Sequence, residues 1–167
     1  PTAYHRMGRI VDYDAPCDAS FMGGEVGTCQ TELGDFPGGL KDLATEDPRV
    51  RQALIDVYVR WVLETDLDGL RIDTLKHVEH GFWREFSRGV REALADEGKT
   101  NFFLFGEAFD GDDARLGSYT APGELDSVFY FSQKYRVFSD VFQRGGPTRA
   151  IEALYALRDV NYSLVPQ

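Results

Sequence analysis

Two acids, Asp73 in GLRIDTLKHV (69–78) and Glu107 at the end of FFLFGE (102–107), stand 34 residues apart, about one strand-helix-strand repeat. Side chains alternate along a strand, so Leu70 and Ile72 share one face and Arg71 and Asp73 the other. A guanidinium beside a carboxylate favours the ionised acid and lowers its pKa by ~1 to 3 units. Asp73 is therefore expected to be an anion, suited to nucleophilic attack or to electrostatic stabilisation. Taken alone, an R-x-D pair reads more plainly as an ion pair closing a strand end; the second acid changes that. Glu107 follows Gly106 and a run of Phe and Leu, surroundings that raise a carboxyl pKa and keep a proton available. If both acids end adjacent parallel strands, ~4.8 Å apart, their carboxyl groups approach the ~5 to 5.5 Å spacing of a retaining glycosidase. One carboxylate would attack an anomeric carbon while the other protonates the leaving oxygen.

These acids must be held by elements, and the sequence supplies them. In EDPRVRQALIDVYVRWVLET Asp47 is an N-cap, Pro48 suits the first helical position, and Val50, Leu54, Val57 and Trp61 recur at helical spacing. After the LRID strand, EHGFWREFSRGVREALADEG places Phe82, Phe86, Val90, Ala93 and Leu94 on one stripe that Gly98 stops. NFFLFGEAF and LDSVFYF (125–131) read as short strands of a parallel sheet, and helical patterns follow at about 133–143 and 148–159. This alternation is α/β, with a parallel sheet and right-handed crossovers. A (β/α)8 TIM barrel typically needs ~250 residues, so about three strands with their helices make part of one; an open doubly wound sheet is the structural alternative. Residues 1–46, rich in Gly, Asp and Thr, show no sustained period and read as an irregular excursion preceding the α/β part at 47–167.

Composition narrows the function. The net charge is −10 without a basic run, which disfavours nucleic acid and anionic membrane surfaces and leaves a neutral or cationic ligand. There is no apolar run long enough to span a bilayer. The start at Pro1, without an initiator Met, suggests a fragment or processed product. No G-x-G-x-x-G or G-x-x-x-x-G-K-[ST] marks a phosphate site. Cys17 and Cys29, twelve apart, either close a loop disulfide or are unrelated thiols; the pair leans towards an extracellular or periplasmic setting. His5 and His80 match no ligand spacing and read as surface or capping residues. Phe109, Tyr119 and Tyr130 lie near strand ends where sugar rings could stack, and Asp12, Asp14 and Asp18 include candidate calcium ligands, though core aromatics and a solvated acidic loop are the plainer readings.

DGLRIDTLKHV and FFLFGEAF together resemble the second and third conserved stretches of the α-amylase family, glycoside hydrolase family thirteen, and GGLKDLATEDPRV resembles the segment near the end of that family's inserted domain B, with Lys41 where Pro is common. The resemblance covers roughly residues 33–160, with 1–32 as the preceding end of domain B. It implies Asp73 as nucleophile, Glu107 as general acid/base and Arg71 as the residue orienting Asp73. It further implies Lys76 and His77 as sugar contacts on the leaving-group side, the pair also able to offer a backbone carbonyl to a structural Ca2+. No cofactor is implied for the chemistry, and the implied partner is an α-glucan or maltooligosaccharide. The family's first and fourth stretches, the latter carrying a third catalytic carboxylate, do not occur in these residues, so this chain alone is expected to be inactive. A transglycosylase or isomerase on the same scaffold, and a silent amylase-like binding domain, are the rival expectations. Oligomeric state is left open.

Overall fold

A computed structural model describes residues 3–13 and 30–163. Cys17, Cys29, Asp14 and Asp18 lie outside the described residues, and with them the expected disulfide and most of the candidate calcium loop. The described part of 3–46 holds one short helix, α1 (Gln30–Leu33), and isolated bridges such as Tyr4 with Leu43 and Arg9 with Asp35.

Helix α2 (Pro48–Thr65) begins as its sequence requires: the Asp47 carboxylate accepts the Arg49 N–H (2.9 Å) and Pro48, which has no N–H to satisfy, opens the first turn. Its expected stripe holds only in part: Leu54 packs on the core. Ile55 and Val62 are the buried residues, while Val57 and Trp61 are exposed. The helix is apolar on two sides, and only one of them meets the described core. Strand β1 (Gly69–Ile72) follows, then a single 3₁₀ turn (Leu75–His77) and helix α3 (His80–Asp96). On α3 the stripe holds: Phe82, Phe86, Val90 and Leu94 are buried, and Gly98 takes the left-handed conformation just past the helix.

Strand β2 (Phe103–Gly106), helix α4 (Asp113–Ser118) and the short strand β3 (Ser127–Val128) come next. The three-residue helix α5 (Phe131–Gln133) runs into a π-helical stretch (Lys134–Gln143), where an ordinary helix was expected. The expected helix at 148–159 is two, α6 (Arg149–Ala156) and α7 (Arg158–Asn161).

The strands are parallel and ordered β1-β2-β3, with Ile72 opposite Gly106 and Gly106 opposite Val128. Leu70, Ile72, Leu104 and Val128 pack into the cluster built by α2, α3 and α4, around Val62, Leu94 and Leu116. The other face carries Arg71 and Phe103, both exposed, and half-buried Phe105. Among the described residues the helices of this core lie on one face of the sheet, as in the wall of a barrel; a doubly wound sheet has helices on both.

Candidate active site

The register that sets Ile72 against Gly106 makes Asp73 and Glu107 the first residues beyond two neighbouring strands. Their backbones stay joined past the sheet: the Glu107 N–H donates to Ile72 O (2.8 Å) and the Leu75 N–H donates to Glu107 O (2.9 Å). Gly106 permits this closeness, because a Cβ there would lie 2.6 Å from Leu75 Cδ2 and 2.7 Å from Leu125 Cδ2. Asp73 caps its own turn, Oδ1 accepting the Thr74 N–H (2.8 Å), and Thr74 is left-handed at φ 55°. For a β-branched residue that is a strained conformation, held by what surrounds it.

Arg71 lies between the two acids. It forms an ion pair with Glu107 and stands 3.6 Å from Asp73 Oδ2. The sequence placed Arg71 with Asp73; the structure adds Glu107 as its closer partner. The apolar surroundings expected for Glu107 are accordingly only half present: Ala108 beside it is buried, but a cation touches its carboxylate. Asp73 is the most open of the three, its side chain 67% exposed against 22% for Glu107. One guanidinium thus offsets the repulsion of two adjacent carboxylates that face the open side of the sheet.

Lys76 and His77 are buried on the 3₁₀ turn, not loop polarity at the surface. His77 Nδ1–H donates to Thr31 O (2.8 Å), and its ring meets Phe36 edge-on at 4.8 Å and Tyr13 at 5.9 Å, so the irregular N-terminal part packs against it. Trp83 Nε1–H secures the turn from beneath, reaching Leu75 O (3.0 Å) and Val78 O (3.1 Å). Lys76 Nζ lies 3.6 Å from Asp110, whose side chain is only 10% exposed. Asp110 also accepts from the Asp112 N–H (2.8 Å) and from Arg115 (2.9 Å). Burial pushes the Asp110 carboxyl up, but the Asp112 amide, Arg115 and Lys76 outweigh it and hold the group below its usual value. Sequence reasoning passed over Asp110; its place three residues after Glu107, matching Lys76 three after Asp73, was the available signal.

Of the aromatics singled out, Phe109 is 53% exposed, edge-on to Phe131 at 5.0 Å, with Lys134 Nζ 5.1 Å from its ring centre. Tyr119 is core, stacked on His80 at 4.4 Å, and Tyr130 is half-buried against Tyr162. The two remaining histidines bind carboxylates: His5 meets Asp42 (2.5 Å) and Glu46 (2.9 Å), and His80 meets the buried Glu124 (2.7 Å). Among the described residues no group of three or more His, Cys, Asp or Glu could hold a metal ion, and Asp12 joins none.

Residues 28–158 match the family model described as alpha amylase, catalytic domain. An alpha-amylase of Streptomyces lividans is 34% identical over 157 residues, covering 93% of this chain and 15% of that protein. A cyclomaltodextrinase of a Bacillus species is 37% identical over 127 residues, 70% of this chain and 22% of its own. The crystal structure of the Geobacillus thermoleovorans alpha-amylase complexed with acarbose superposes with a TM-score of 0.75 at 30% identity, covering 96% of this chain and 32% of that one. The chain thus spans a third or less of the proteins it resembles.

Proposed function

This chain belongs to the α-amylase catalytic-domain family, and we propose that it supplies the nucleophile and the acid/base of a retaining hydrolysis of α-1,4-glucans, starch and maltooligosaccharides, in a complete barrel. The observation that carries the reading is the placement of Asp73 and Glu107 one parallel step apart with Arg71 shared between them.

In the first step a carboxylate oxygen of Asp73 bonds to the anomeric carbon as the bond from that carbon to the glycosidic oxygen breaks. Glu107 gives its proton to the departing oxygen. In the second, Glu107 takes a proton from water, the hydroxyl oxygen attacks the same carbon, and Asp73 leaves as a carboxylate; two inversions retain the anomer. Arg71 orients Asp73 and holds charge balance while the proton on Glu107 comes and goes. The three strands of the described residues do not enclose a substrate, and on this reading the remaining barrel wall, with a third carboxylate, completes the site.

A second reading is kept on the same scaffold. Exposed Phe109, two residues beyond Glu107, offers a ring face where an acceptor sugar could stack, favouring transfer to sugar in place of water. The likeness to a cyclomaltodextrinase supports maltodextrins among the proposed substrates.

The test is made on the full-length protein, comparing wild type with Asp73→Ala, Glu107→Gln and Arg71→Ala on soluble starch and a maltooligosaccharide, with the product anomer followed by NMR. Wild type should release α-anomeric product, and the first two variants should lose several orders of magnitude in kcat. Unimpaired turnover by Asp73→Ala, or binding without turnover by wild type, would refute the assignment.

A further inference from the structure

Past Ile72 and Gly106 the sheet ends, yet the two acids that follow must keep a fixed separation for a bond to form at one carbon. The backbone ties run out at Leu75 N–H to Glu107 O. The next link outward is ionic. Lys76, three residues beyond Asp73, meets Asp110, three residues beyond Glu107, and both side chains are almost wholly buried, 5% and 10% exposed. Asp110 is itself anchored, taking the Asp112 N–H and Arg115 of α4. Asp112 in turn caps that helix by accepting the Ala114 and Arg115 N–H groups (2.9 and 3.3 Å). A chain of contacts therefore runs from the turn bearing Asp73, through Lys76 and Asp110, to a helix packed on the core through buried Leu116.

We propose that Asp110 is a positioning residue: through its buried ion pair with Lys76 it locks the loop after β1 to the loop after β2 and so fixes Asp73 relative to Glu107. Lys76 thereby acts from within the wall, on the geometry of the acids. Removing either charge breaks this link: without Lys76, Asp110 keeps Arg115 of α4, and the turn bearing Asp73 is freed from Asp110 to shift. Misplacement of a reacting group by about 1 Å costs up to ~100-fold in rate. The proposal rests on the roles given above to Asp73 and Glu107.

The experiment measures kcat and KM of the full-length protein on a maltooligosaccharide for Asp110→Asn, Asp110→Glu, Lys76→Met and the double variant Lys76→Met/Asp110→Asn, with Asp73→Ala alongside. Expected are falls of about 10- to 100-fold in kcat for Asp110→Asn and Lys76→Met, with KM changed less than about threefold. The conservative Asp110→Glu should recover part of the loss, and the double variant should be no worse than either single one. If a single variant fails to fold, the double variant, which removes the Lys76 and Asp110 charges together and leaves only the partly exposed Arg115 without this carboxylate, still reports: kcat equal to wild type overturns the proposal. A Lys76→Met that raises KM at unchanged kcat, or effects that simply add, also overturns it. Turnover surviving in Asp73→Ala would instead remove the reading beneath it, so the two failures are distinguishable.

Discussion

Replacing Glu32 by Gln should stabilise the protein above neutral pH and change it little in mild acid. Glu32 sits on α1, where burial raises its carboxyl from an ordinary 4.5 to about 7, Glu79 and Asp42 adding to the rise and His80 opposing it. The folded state thus holds a proton that the unfolded chain releases at lower pH. Stability is present in full below the unfolded value and is lost as pH rises through the folded one, here between about 4.5 and 7. At about 1.4 kcal/mol per unit the displacement sets a ceiling of about 3 kcal/mol. Glu32 is only partly buried, and water reaching it trims the effect to about 1–2 kcal/mol. Gln keeps the shape and one hydrogen-bonding oxygen without the charge. Thermal unfolding of wild type and Glu32→Gln should differ by about 3–6 °C at about pH 8 and by much less at about pH 5. Asp42, raised by burial to about 6 against the lowering by His5, gives both proteins a residual slope, so the difference between them is the readout. Equal differences at both pH values would show that Glu32 does not titrate in this range and would sink the argument.

Gly106→Ala should overpack the junction between the two acid-bearing loops, since its Cβ meets Leu75 and Leu125; a loss of about 1–3 kcal/mol in stability and a lower kcat are expected, with a Leu125→Ala partner in a double-mutant cycle showing less than the sum of the two losses. Trp83→Phe should cost about 1–3 kcal/mol, read as a lower unfolding midpoint, because Val78 O loses its indole donor and Leu75 O is left with the longer bond from the Val78 N–H (3.4 Å); an unchanged midpoint would refute this.

The strand-end acids were legible because charge inside an apolar, β-prone run is costly and needs a reason, and α3 because a single apolar stripe stopped by glycine has one solution. Helix α2 misled because apolar residues occupy two of its faces, and spacing alone does not say which meets the core: Ile55 and Val62 do, Val57 and Trp61 do not. Arg71 with Asp73 followed from alternation within one strand, but Arg71 with Glu107 is a cross-strand contact, visible only once the register is known. Asp110 was hidden for the same reason, its partners Lys76 and Arg115 coming from two other elements. The π-helical stretch went unseen because Val137 and Val141, its buried residues, are four apart, as an α-helix also allows. No glycine or proline marks the break at Leu157 between α6 and α7.

The pairing of Ile72 with Gly106 acts as a gauge for whatever chemistry follows. Hydrogen bonding fixes the distance between neighbouring strands, and the pleat allows sliding only in steps of two residues if the acids are to keep facing the same side. The span between Asp73 and Glu107 therefore cannot be tuned by small shifts of either strand. Descendants of such a wall that needed the wider ~6.5 to 9.5 Å gap of an inverting enzyme would have to shorten a side chain or recruit an acid from a strand farther round. On the proposed roles of Asp73 and Glu107, reaction stereochemistry would be inherited with the register, while the surrounding loops would remain free to choose the sugar.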